Sequence, residues 1–150
     1  MSHTYTSLLV HGVFSTKERR PSINEELQER LYPYLGGIAR ENGMRALTVG
    51  GLEDHMHCLL SVPPTMPVSK AMQLIKGGSS KWINDNFTRR RDFSWQEGYG
   101  AFSIGIGEVG RTTDYIRNQK KHHEERDFKG EFEAFLRRHD IPFDERYLLG

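Results

Sequence analysis

An α+β fold, with helices laid on an antiparallel sheet, is predicted from three features of the chain. Short runs rich in strand-forming residues alternate with amphipathic stretches at helical spacing, in the order β-α-β-β-α-β. Two of those runs, "RALTVGG" and "MHCLLSV", flank "GLED" closely enough to form a hairpin. The length of 150 residues suits one domain, 1–150, with its own core.

The elements follow in order. "YTSLLVHGVF", residues 5–14, predicts a first strand, and the charged "STKERRP" a loop after it. Ser22 stands three residues before Glu25, a capping box, and Leu27, Leu31, Leu35 and Ile38 then recur at helical spacing. That helix should end near Asn42-Gly43 and be kinked or divided at Pro33, which donates no backbone hydrogen bond. The hairpin supplies strands two and three and is closed by Pro63-Pro64. From Val68 to about Asn86, the residues Val68, Met72, Ile75, Trp82 and Ile83 form one helical stripe, weakened in the middle by Gly77-Gly78. "RRRDFSWQEGYG" reads as a loop and "AFSIGI" as a fourth strand. "TTDYIRNQKKHHEE" is a third helix beginning near Thr112 or Thr113, and "EFEAFLRRH" gives one more short helix. This is the split βαβ, ferredoxin-like arrangement, also that of RRM domains, with a late helix added.

Composition narrows the setting. A chain that is 36% hydrophobic and 27% charged, with no apolar run long enough to cross a bilayer, belongs to the soluble globular class. Nothing at the start reads as a signal peptide, and the single Cys58 has no partner for an intrachain disulfide, so a cytoplasmic location is expected. The net charge of +1 carries no global signature for nucleic acid; any such case rests on local clusters. Lys76, Lys81, Arg89, Arg90 and Arg91 form one, opposed only by Asp85, and Lys17, Arg19 and Arg20 form another. Trp82, Phe93, Trp95 and Tyr99 could stack unpaired bases near them, although Trp82 also suits a core position.

The chemistry concentrates in "EDHMHCLL". Side chains alternate along a strand, so His55 and His57 emerge on one face, roughly 6.5 to 7 Å apart, while Met56 and Cys58 point into the other. An isolated pair of this kind more often means buried, hydrogen-bonded histidines than a metal site. A second motif changes the balance: Tyr115 and Gln119 lie four apart on one helical face, with His122 one turn further on. Two imidazoles, an amide oxygen and a phenol could together hold a metal ion against a phosphate and attack that phosphate covalently. The phenolate, with a parent pKa of about 10, leaves readily enough for such a step to be reversed. Gly105, Gly107 and Gly110 imitate a dinucleotide-binding fingerprint, but too little chain follows for a parallel βαβ unit, so no nucleotide cofactor is expected. Those glycines read as a hinge or a linker before the tyrosine helix.

With these residues in hand, the sequence resembles the single-tyrosine HUH transposases, small enzymes of the IS200-like and REP-associated kind that move single-stranded DNA. "VFSTKERRP", "GLEDHMHCLLSVPP", "IKGGSSKWIN", "WQEGYGAFSIG", "YIRNQKKHH" and the closing "YL" follow the family's order across nearly the whole chain. The resemblance implies His55, His57 and Gln119 as metal ligands and Tyr115 as the nucleophile, forming a 5′-phosphotyrosine and leaving a 3′-hydroxyl. It also implies Mg²⁺ or Mn²⁺, although two imidazoles would accept Zn²⁺ or Ni²⁺ in a crystal. Single-stranded DNA with hairpins, a homodimer, no membrane, and DNA contacts from Lys17, Arg19, Arg20, Lys76, Ser79, Lys81, Arg89 and Arg90 complete the expectation. Three rivals stand beside it: a domesticated nickase acting on chromosomal repeats, a non-catalytic nucleic-acid-binding module, and a small zinc hydrolase. The last is disfavoured because Asp54, the nearest acid, should face away from the histidines.

Overall fold

The computed structural model describes residues 3–87 and 92–148; Arg89, Arg90 and Arg91 of the expected basic cluster lie outside the described residues. Four strands, β1 (Leu9–Ser15), β2 (Arg45–Leu52), β3 (His55–Ser61) and β4 (Gly100–Ile104), form one sheet in the order β2-β3-β1-β4. Every neighbouring pair is antiparallel. β1 and β2 thus run parallel with β3 between them, which is the predicted split βαβ topology. β1 begins four residues later than the apolar run, because its partners end at Ser61 and Ile104, both opposite Leu9.

The helices depart from the sequence reading in instructive places. α1 (Glu25–Glu41) is capped by Asn24, whose side chain accepts from the Leu27 amide at 2.8 Å. Ser22, expected to cap it, hydrogen-bonds the Arg20 carbonyl instead. Pro33 does not divide α1: Leu27, Leu31, Leu35 and Ile38, from both sides of the proline, are buried in one core, and that packing outweighs one missing backbone bond. The helix ends at Asn42, and Gly43 takes the left-handed conformation (φ +79°) that only glycine adopts freely. α2 spans Val68–Asn86 as predicted, uninterrupted by Gly77-Gly78.

The late helix differs more. A 3₁₀ turn, Ile106–Glu108, leads directly into α3 (Val109–Arg117), so Gly107 and Gly110 lie in helical turns and the segment is not an open linker. α3 then stops at Asn118, whose backbone leaves the helical region and whose side chain takes the Asp114 carbonyl. α4 (Gln119–His122) resumes the chain, and α5 (Phe128–Arg138) follows, capped by Asp127.

The two faces of the sheet carry different interiors. Val10, Phe14, Met56, Cys58 and Leu60 pack with the buried residues of α1 and α2, joined by Phe93 and Trp95. Val13 and Phe102 face the other way and pack with Phe128, Phe132, Phe135 and Leu136 of α5. The alternation of β3 places His55 and His57 on this second face, beneath α3, α4 and α5. No helix among the described residues is long and apolar enough to cross a membrane.

Candidate active site

His55 and His57 are both fully buried, with ring centroids 5.2 Å apart. Each presents Nε2 inward and ties its other nitrogen behind it. Nδ1 of His55 donates to Asp54 Oδ1 at 2.7 Å, and Nδ1 of His57 lies 2.8 Å from His11 Nε2. Such outer partners fix ring orientation and choose the nitrogen left for a ligand. Asp54 therefore does not face away as expected. It sits in the two-residue turn before β3, where strand alternation does not apply, and behind the ring rather than beside the inward nitrogen. Burial alone would raise its carboxyl, but the hydrogen bond and charge of His55, with Arg19, hold it low.

The tyrosine helix reaches this pair because α3 crosses β2 at Gly50. A Cβ there would stand 2.7 Å from the Ile116 carbonyl oxygen, so glycine permits the approach. Gln119 Oε1 accepts from His55 Nε2 at 2.8 Å, while its amide nitrogen donates to the Tyr115 carbonyl at 3.2 Å. The break at Asn118 does not separate the two residues. His122 stacks on the Tyr115 ring with centroids 4.6 Å apart.

Three residues complete the site that the sequence reading did not name for it: His11, His123 and Glu131. Glu131, from α5, is buried at the centre. Its Oε1 accepts from His57 Nε2 at 2.9 Å and lies 3.7 Å from His55 Nε2. Its Oε2 accepts from the Tyr115 hydroxyl and from His123 at 3.3 Å. Burial would raise the Glu131 carboxyl, but the charge of His57 and the hydrogen bonds from His123 and His57 hold it far below the usual range. Tyr115 is pushed the opposite way, upward, first by burial and then by the adjacent Glu131 charge. Burial lowers His57, and it lowers His11 to about 3 with help from the charge of His57.

Ligand atoms of His55, His57 and Glu131 lie within 4.8 Å of one another, a spacing one ion could span. Gln119 Oε1 points to the same space. Two inward imidazole nitrogens, a carboxylate and an amide oxygen, backed by Asp54 and His11, fit a divalent cation. Cys58 is excluded: it lies on the opposite face, and burial pushes its thiol up to about 12.

The expected DNA contacts are scattered. Arg19 lies near the site, 3.6 Å from Asp54 and 3.2 Å from Asp127. Lys17 and Arg20 border a separate small cleft with Phe93 and Ser94. Lys76 donates to the carbonyls of Gln96, Glu97 and Gly98 at 2.7, 3.1 and 2.6 Å, which makes it a clasp for that loop. Ser79, expected to face DNA, is fully buried and accepts from Trp95 Nε1 at 3.0 Å. Lys81 is exposed and paired with Asp85. Lys76, Ser79 and Lys81 all belong to α2, across the sheet from the histidines, and Phe93 and Trp95 are core residues rather than open stacking faces.

Comparison with known proteins agrees with this architecture. The model of the IS200-like transposase family matches residues 4–119. The transposase of insertion sequence element IS200 from Salmonella typhimurium is 32% identical over 137 residues, 87% of this chain and 86% of that protein. The ISDra2 transposase TnpA of Deinococcus radiodurans is 26% identical over 73% of this chain and 81% of its own length. A REP-associated tyrosine transposase bound to a REP hairpin shares the fold with a TM-score of 0.60 at 17% identity, over 82% of this chain and 73% of that one. The chain belongs to the IS200-like transposase family and is a transposase. Glu131 and the rest of α5 lie beyond the span the family model covers.

Proposed function

We propose that this transposase cuts and rejoins single-stranded DNA through a covalent 5′-phosphotyrosine on Tyr115, with a divalent cation held by His55, His57, Gln119 and Glu131. The observation that carries the reading is the chain of contacts from the Tyr115 hydroxyl through Glu131 to His57, all within one chain. When bound, the cation would supply electrostatic polarisation of the scissile phosphate. The carboxylate and the amide oxygen are hard ligands and favour Mg²⁺ or Mn²⁺ over softer ions.

The protein's own residues account for the rest. Tyr115 Oη bonds to phosphorus, the bond from phosphorus to the 3′-oxygen breaks, and the departing 3′-oxygen takes up a proton. Glu131 accepts the phenol hydrogen bond and so orients the Tyr115 hydroxyl, while the proton lost by the phenol is matched by the one the departing 3′-oxygen takes up. Before the attack, burial and the carboxylate charge keep Tyr115 a neutral phenol. Return attack by a 3′-hydroxyl restores the phosphodiester and the free tyrosine, so no high-energy cofactor is consumed. A hairpin-bearing strand as substrate is supported by the REP hairpin bound to the structural relative. Assembly as a homodimer, and action in the cytoplasm, belong to the same reading.

Incubation with labelled single-stranded hairpin DNA and Mn²⁺, followed by a denaturing gel, tests it. An adduct is expected with the native chain and none with Tyr115→Phe. An adduct that survives in the Phe variant removes Tyr115 from its role; no adduct despite intact DNA and Mn²⁺ binding returns the chain to a non-catalytic module.

A further inference from the structure

Two clefts open onto the groups around Tyr115, and they differ in charge. The larger, about 750 Å³, runs from Arg19 across the β2-β3 turn to α4. Its lining is acidic: Glu25, Glu53, Asp54, Glu124 and Asp127 stand against Arg19, Arg117 and Lys120. Size alone would make it the seat of the strand, but a polyanion meets more carboxylates than cations there.

The smaller cleft, about 260 Å³, lies between β4, α3 and α5. Tyr115, His11, Phe102 and Phe135 line it, and Arg111, Arg126 and Arg138 bring three guanidinium groups to it. All three arginines are exposed, and none forms an ion pair among the described residues. Of the two carboxylates present, Glu131 is buried on Tyr115 and the histidines, and Glu108 takes the Gly105 amide at 3.0 Å. Buried Phe102 stacks on Phe135 and on the exposed His139, with centroids 5.3 and 4.8 Å away, which leaves the His139 ring as the open aromatic face. The volume falls just under the range of roughly 300 Å³ and above for small-molecule pockets, so it holds about one nucleotide and excludes a duplex. An exposed imidazole ring beside unpaired cations is chemistry that holds an unstacked base and its phosphate.

We propose that this smaller cleft seats the nucleotide flanking the scissile phosphate of the single strand, with Arg111, Arg126 and Arg138 on its phosphates and the base against the exposed His139 ring. The inference rests on the phosphotyrosine reading for the position of the scissile phosphate. It makes the late, α5-side arginines, and none of the basic clusters evident in the sequence, the grip on the strand next to the nucleophile. Arg126 and Arg138 come from the segment beyond the family match.

The test measures binding of a fluorescent single-stranded oligonucleotide across a salt series, in a Tyr115→Phe background that removes covalent trapping. Arg111→Gln, Arg126→Gln and Arg138→Gln are each expected to weaken binding roughly five- to tenfold. Each should also flatten the slope of log affinity against log salt by about 0.7, the single-strand value per phosphate contact. Arg117→Gln and Lys120→Gln, in the larger cleft, should stay within twofold. Thermal melts of each variant confirm folding. Rim variants that bind like the parent, or a loss confined to Arg117 and Lys120, overturn the proposal. Adduct formation by the native chain is read separately: rim-dependent binding without any adduct sinks the phosphotyrosine reading alone, whereas an adduct with rim-independent binding sinks this inference alone.

Discussion

Neighbouring residues of β3 enter two interiors that are equally dry and chemically opposite. On one face Met56, Cys58 and Leu60 meet the apolar stripes of α1 and α2. On the other His55 and His57 are no more accessible, yet all four of their ring nitrogens have a polar partner: Asp54, Gln119, His11 and Glu131. Burial therefore does not separate core from site in this molecule. The matching of buried polar atoms does, because each unpaired one would cost stability while a complete network fixes one geometry.

Four perturbations sharpen or break that contrast, from the largest effect down. Glu131→Ala removes the common acceptor for His57, His123 and Tyr115 and should cost about 3–5 kcal/mol, as breaking a buried charged pair does. It should also abolish adduct formation; urea unfolding together with the gel assay decides, and a fully active, native-like variant would refute the central role of Glu131. Met56→Ala, on the apolar face, should cost about 3 kcal/mol through cavity formation while leaving Mn²⁺ affinity unchanged below its melting transition. Loss of metal binding there would mean that the two interiors are not independent.

The third perturbation is pH. His11 has its pKa lowered from 6.5 to about 3 in the folded chain, chiefly by burial. The unfolded chain therefore binds an extra proton between those values, and stability rises with pH across that window. The slope is about 1.4 kcal/mol per unit, so acidification from 6.5 to about pH 5 should cost about 2 kcal/mol. His11→Gln should flatten the dependence; an unchanged slope would assign it to other groups. The smallest effects come from a matched pair of glycines. In Gly50→Ala the new methyl meets the Ile116 backbone carbonyl, α3 must move, and about 1–3 kcal/mol is lost together with adduct yield. In Gly12→Ala the methyl meets the flexible end of Met72 at 2.9 Å, and the expected loss is below about 1 kcal/mol with chemistry retained. Equal effects on adduct yield would show that the approach of α3 does not position Tyr115.

Sequence alone determined the parts whose evidence is local. Alternation and helical spacing sufficed for the succession of strands and helices along the chain, the bounds of α2, the shared face of His55 and His57, and the relation of Tyr115 to Gln119, because each is a property of a few consecutive residues. The exchange of Ser22 for Asn24 as cap shows how fine that local signal becomes at a helix end. What only the tertiary structure decided was which distant groups meet. Glu131 reads in sequence as one more charged residue on an amphipathic helix, and His11 as part of an apolar strand. Neither carries a mark of its partner, 74 residues away for the Glu131–His57 contact and 46 for His11–His57. The same limit applies to the basic clusters: sequence set them near the phosphoryl-transfer residues, whereas α2 carries Lys76, Ser79 and Lys81 on the other side of the sheet from the histidines. Contacts across a sheet depend on how helices fold back over it, and that is fixed by the packing of whole faces rather than by any short run of residues.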